Sequence, residues 1–221
     1  MDQQVDYTER RLDVSRPNFE PGLLILAGTV TPLNATEPEG TFEIRIAGPD
    51  YYFLHQSWPD TPHYRASRDT QIATPNWAGW NGRRPRVRNS ALGCGRPPDQ
   101  LEIADSKPLL MPGRGLWNET ALRGALFEGQ TTDYSPPNPD RFWSSDRHEE
   151  YFRLEQIGRW QIPREIIFQD KLRFGELVYS VRRIELLVLP EHEWFEKAKA
   201  AHFKPGHIRP VLSNGKVTYP A

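Results

Sequence analysis

Several residue types and segment types are scarce or missing in this chain of 221 residues. Cys94 is the only cysteine, so the chain can form no internal disulfide and no metal site built from several cysteines. No apolar stretch approaches the roughly 20 residues that a membrane-spanning helix needs. Residues 1–18 are polar and charged and lack the apolar core of a signal peptide. We therefore expect a cytoplasmic protein, or a periplasmic or other extracytoplasmic one whose signal was removed before residue 1.

Familiar catalytic and nucleotide-binding motifs are also missing. The chain has no Gly-x-Ser-x-Gly elbow, no phosphate-binding P-loop and no dinucleotide fingerprint. His192 and Glu193 begin like a zinc-protease helix, but Glu196 stands where that motif needs a second histidine. A net charge of -1 gives no general reason to bind nucleic acid. We expect no cofactor, no nucleic-acid partner and no catalysis by a familiar motif.

Short runs of β-branched and aromatic residues recur along the chain and predict strands. The predicted strands cover residues 23–30, 41–46, 51–54, 64–74, 101–103, 149–157, 160–170 and 176–189. Good helix formers with apolar residues at helical spacing predict a helix over 191–203, and Asn118 predicts the start of another that ends near Gly129. Asn214-Gly215 predicts a small hairpin over 211–219.

These elements predict a mainly β, α+β fold, in which a curved antiparallel meander packs on two or three helices. The 21 prolines predict long connecting loops, above all over residues 70–98 and 130–141. Since no linker looks like a domain boundary, we predict one β-rich domain over 1–221. It would have an N-terminal arm over 1–20 and a C-terminal tail or hairpin over 204–221.

The predicted meander and its closing helix resemble the LolA-type lipoprotein-carrier superfamily. The resemblance lies in residues 158–168, 176–189 and the Trp194-Phe195 pair, together with residues 42–46 and 48–52 near the start. It covers about half of the chain. It implies a curved antiparallel sheet that wraps around helices, with an apolar concavity that holds an acyl chain.

We therefore predict a non-enzymatic binding protein that holds an apolar ligand or a lipidated partner between sheet and helices. Alternating residues such as Phe42, Ile44 and Ile46 would face the ligand. The full set of predicted ligand-facing residues is Phe42, Ile44, Ile46, Ile166, Phe168, Val178 and Trp194.

An alternative is an accessory or scaffold subunit of a larger assembly, with peripheral association to a membrane surface left open. Residues 70–98 contain no acidic residue but five arginines and two tryptophans. Arginine and tryptophan are enriched where proteins bind one another. The predicted partner-binding residues are Trp77, Trp80, Arg83, Arg84, Arg86 and Arg88.

A metal-dependent enzyme is the third hypothesis. His55 and His63 lie on either side of a turn and would converge with Asp60 or Asp69 on zinc or iron. Elsewhere, Glu149 and Glu150 are adjacent on a predicted strand, so they face opposite ways and do not serve one site. We interpret them as a solvated strand edge.

Overall fold

In the computed structural model, most of the residues that the structure describes lie in β-strands. The described residues are 22–33, 38–48, 50–75, 77–82, 86–87, 100–103, 112–113, 116, 130–134, 147–157, 160–170, 175–203, 211–213 and 216–218. They contain fourteen strands and one α-helix. The prediction of a mainly β, α+β fold with an antiparallel meander is confirmed.

The fourteen described strands have the following bounds. They are β1 Leu23–Pro32, β2 Gly40–Ala47, β3 Tyr51–Trp58, β4 Tyr64–Arg65, β5 Ser67–Thr74, β6 Trp77–Gly82, β7 Arg86–Val87, β8 Gln100–Ile103, β9 Gln130–Tyr134, β10 Arg147–Ile157, β11 Trp160–Asp170, β12 Gly175–Leu187, β13 Val211–Ser213 and β14 Lys216–Thr218. The helix, α1, spans His192–His202.

Twelve of these strands form one sheet in the order β14-β13-β8-β6-β5-β3-β2-β1-β12-β11-β10-β9. Two runs of neighbouring strands meet at its centre, where β1 pairs with β12. Within the described part of the sheet every pairing is antiparallel except that of β13 with β8. β4 and β7 pair separately.

Two apolar clusters lie on opposite faces of the sheet, because successive side chains of a strand point to opposite sides. The larger cluster has 21 buried side chains, drawn from eight strands and Leu116. We call the face that carries it the inner face. The smaller cluster contains Leu23, Ile25 and Phe53, whose chain neighbours belong to the larger one. We call this opposite face the outer face.

Helix α1 packs on the outer face. It begins after Pro190, which cannot continue the β12 ladder. Phe195 and Ala198, three residues apart and therefore on one side of the helix, are buried against the sheet. Trp194 packs beside them, with the guanidinium carbon of Arg45 4.0 Å from the centre of its ring. No helix among the described residues is long and apolar enough to cross a membrane.

The structure corrects two of the predicted loops. β6 lies within the segment predicted as a loop over 70–98, and β9 lies within 130–141. β6 was not predicted, because its glycine and asparagine residues have low strand propensity. In the structure, pairing with both β5 and β8 stabilises it. The helix predicted to start at Asn118 lies outside the described residues, as does the arm over 1–20.

Candidate functional site on the inner face

Apolar side chains cross the inner face in rows set by the strand register. Leu24 on β1 is opposite Ile46 on β2, and Ile46 is opposite Tyr52 on β3. The next row places Leu26 beside Ile44. All of these side chains are almost completely buried. These rows of the inner face are therefore apolar, and they are covered in this structure.

Most of the residues predicted to face a ligand lie together here. Phe42, Ile44, Ile46, Ile166 and Phe168 belong to the inner cluster. The other two do not join them. Val178 alternates with Leu177 and Tyr179, which are inner-face residues, so it points to the outer side. Trp194 packs on the outer cluster because α1 lies there.

One corner of the inner face is polar, although it is buried. Asp69 on β5 is 1% exposed and accepts hydrogen bonds from Gln56 Nε2 at 2.9 Å and Gln71 Nε2 at 3.3 Å. Tyr179 Oη donates to Gln56 Oε1 at 3.0 Å. These contacts join β12 to β3 and β5 across the two strands that lie between them, β1 and β2. Sequence patterning missed this network, since its members are polar residues at positions that alternation assigns to the core.

A short irregular segment covers part of the inner face. Tyr52 Oη donates to the carbonyl of Pro112 at 2.5 Å, and the N–H of Gly113 donates to Glu149 Oε1. Glu149 is fully buried and also accepts from Tyr151 Oη at 3.1 Å. The interpretation of Glu149 as part of a solvated strand edge is therefore wrong: its carboxylate anchors this cover to β10.

On the outer face, a row of polar residues passes the C-terminal end of α1. The strand register places Glu43, His55, Thr70 and Asn81 side by side. His55 Nδ1 lies 2.9 Å from Thr70 Oγ1, and the ring of His55 is 5.8 Å from that of His202. Asn81 Nδ2 donates to the carbonyl of His202 at 2.7 Å. The end of the helix is thus held to β3 and β6.

Both histidines of this row favour the neutral form. Burial lowers the pKa of His55, and the neighbouring His202 and Arg68 lower it further, whereas Glu43 opposes them. Burial also lowers the pKa of His202. The unfolded chain, with ordinary histidine pKa values of about 6.5, therefore binds protons more readily than the folded one.

We accordingly expect stability to fall as the pH drops from about 6.5 through the lowered folded pKa values. Urea unfolding measures this change between pH 8 and pH 5. The free energy of unfolding should fall more steeply in the native chain than in a variant with both His55→Gln and His202→Gln. His63→Gln is the matched control, since His63 is exposed. An identical pH dependence in the native chain and the double variant would contradict this.

The arginine and tryptophan segment is described only in part. Trp77, at the start of β6, packs edge to face on Phe203 at 4.9 Å, and Lys199 Nζ lies 4.5 Å from the centre of its ring. Trp80 and Arg86 lie on strands. Arg83, Arg84 and Arg88 lie outside the described residues. Partner binding by this segment stays a prediction.

The hypothesis of a metal site at His55 and His63 finds no geometry to support it. His55 faces the outer side of β3, whereas Asp69 faces the inner side of β5. His63 is exposed in the turn that follows β3. In the part of the chain that the structure describes, no three histidine, cysteine, aspartate or glutamate side chains lie close enough to hold a metal.

No protein-family model matches the chain, and no curated protein matches it. A LolA superfamily protein from Nitrosomonas europaea aligns with 82% of this chain and 90% of its own, with 11% identical residues and a TM-score of 0.34.

Proposed function

We propose that this protein is a non-enzymatic binding protein that holds an apolar ligand against the inner face of its sheet. The ligand would be an acyl chain, either free or attached to a lipidated partner. The observation that supports this is the apolar cluster that side chains from eight strands form on the inner face. Contact with these side chains would remove a long hydrocarbon chain from water.

The position of α1 supports the same proposal. The helix packs on the outer face, so it does not fill the inner one. The described part of the inner cover consists of Pro112, Gly113 and Leu116. A ligand that enters beneath this segment would displace the hydrogen bonds of Pro112 and Gly113 and the buried side chain of Leu116.

Tryptophans on the two faces provide a test. Bromine atoms on a hydrocarbon quench tryptophan fluorescence at close contact. A mid-chain dibrominated acyl chain should therefore quench Trp160, on the inner face, and spare Trp194, on the outer face. We expect Trp160→Phe to remove a large share of the quenching and Trp194→Phe, the matched control, to leave it almost unchanged.

Native mass spectrometry of the purified protein provides an independent test. We expect a bound species of acyl-chain mass that organic extraction removes. If no such species is found and brominated chains quench no tryptophan, the proposal fails.

A further inference from the structure

Two histidine side chains meet on the outer face, one from the sheet and one from the helix. His55 lies on β3 and His202 ends α1, and their ring centres are 5.8 Å apart with the planes tilted by 36°. The ring of Phe53 lies 6.4 Å from that of His55 and 6.0 Å from that of His202. The two imidazoles therefore share one half-buried site beside an apolar ring.

The hydrogen bond of His55 leaves its second ring nitrogen available. Nδ1 lies 2.9 Å from Oγ1 of Thr70, which is buried on the neighbouring strand β5. When Nδ1–H donates this bond, Nε2 carries the lone pair. Histidines that bind metals almost always donate their other N–H to such a partner, because the bond fixes the tautomer and the direction of the ring. In that tautomer, His55 can bind a metal through Nε2.

The bond that positions His202 involves its backbone. Asn81 Nδ2 donates to the carbonyl of His202 at 2.7 Å, and no hydrogen bond to the His202 ring is present among the described residues. Burial lowers the pKa of both His55 and His202, so both present the neutral form that metals bind. A nitrogen lone pair is thus available on each ring.

The separation of the two rings suits one metal ion between them. Zinc binds imidazole nitrogen at about 2.0–2.1 Å, and its tetrahedral geometry then sets the centres of two ligand rings about 5 Å apart. The observed separation of 5.8 Å differs from this by less than the movement that a small side-chain rotation allows.

The charges around the pair admit a cation. Glu43 lies opposite His55 on β2, and its negative charge favours a positive one at His55. The positive charge of Arg68 has the opposite effect, but Arg68 is exposed, so solvent and salt screen it. The C-terminal end of α1, where His202 lies, adds the partial negative charge of its aligned carbonyl groups.

We infer that His55 and His202 bind a zinc ion as its two protein ligands, with water molecules as the remaining ligands. Imidazole nitrogen is a ligand that zinc prefers. Because two of the four tetrahedral positions are left to water, the site is open. The ion would link α1 to β3 and so stabilise the packing of the helix on the outer face. This inference is independent of the proposed function.

Zinc chloride added to the full chain tests this by calorimetry, with Mg²⁺ as the control ion because Mg²⁺ prefers oxygen ligands. We expect zinc to bind and Mg²⁺ not to bind. His55→Gln and His202→Gln should each weaken zinc binding by about 10-fold or more. The matched controls are His63→Gln and His192→Gln, which replace exposed histidines away from the pair and should leave binding almost unchanged.

Thr70→Val tests the role of the hydrogen bond to His55. It keeps the shape of the side chain and removes the hydroxyl. We expect it to weaken zinc binding by a smaller factor than the loss of either imidazole, because it acts only through the direction of the His55 ring. The urea midpoint of the native chain should rise when zinc is added, and that of the double variant His55→Gln with His202→Gln should not.

NMR spectra that correlate ring nitrogens with ring protons locate the ion in the native chain, so this readout does not depend on the folding of any variant. We expect zinc to shift one ring nitrogen of His55 and one of His202, as each is identified by its loss in the glutamine variant. The inference is overturned if the native chain takes up no zinc, if these nitrogens do not shift, or if the double variant binds zinc as tightly as the native chain.

Discussion

Replacing Phe195 by alanine is expected to lower the free energy of unfolding by about 3–5 kcal/mol. The Phe195 side chain is completely buried on the outer face, and its ring contacts those of Tyr51 at 5.4 Å and Trp194 at 5.3 Å. The substitution would remove the main apolar contact of α1 and leave a cavity that a helix cannot close without moving. Urea unfolding followed by circular dichroism measures the loss.

The matched control for this variant is Leu189→Ala. Leu189 is 55% exposed in the turn before α1, so its truncation should cost well under 1 kcal/mol. Hydrogen exchange should also quicken in α1 of Phe195→Ala before it quickens in β11 and β12. A loss below about 1 kcal/mol for Phe195→Ala would show that α1 does not depend on this contact.

The second large effect is expected at Glu149, where alanine should cost about 2–5 kcal/mol. The substitution would take the acceptor away from the N–H of Gly113 and from the hydroxyl of Tyr151, both in a site closed to water. A buried donor without a partner costs more than its hydrogen bond contributed. Denaturant unfolding again gives the magnitude.

Two substitutions make this measurement specific. Glu149→Gln keeps one acceptor oxygen at nearly the same volume, so we expect it to retain part of the stability lost in the alanine variant. Glu193→Ala removes a carboxylate that is 93% exposed and should be close to neutral. Equal stability of the native chain and Glu149→Ala would mean that Gly113 and Tyr151 do not need this acceptor.

The local elements could be predicted from the sequence where several signals agree. β11 and β12 combine β-branched residues with bounding charges, and their predicted ranges match the structure closely. The predicted helix over 191–203 is confirmed. Its start could be predicted from Pro190, and its buried side from the spacing of its apolar residues. The predicted pairing of the strands on either side of Asn214-Gly215 is confirmed too, since β13 and β14 pair antiparallel.

The arrangement of these elements across the two faces could not be predicted in this way. Alternation shows that Phe42 and Glu43 face opposite ways, but not which side α1 will cover. The inner network depends on the register between β3 and β5, which places Gln56 opposite Asp69. The intervening turn sets that register. His55 and His202 meet only because the helix packs there.

The seam between β1 and β12 has a consequence for biosynthesis. Ala27 pairs with Arg183, so the partner of β1 leaves the ribosome about 150 residues later. At translation rates of 5–20 residues per second, β12 is synthesised roughly 8–30 s after β1. During this time, the edge of β1 that pairs with β12 has no partner strand. Unpaired edges rich in leucine invite aggregation. The edge of β1 that carries residues 23–26 therefore stays open to pairing with other chains until translation has passed residue 187.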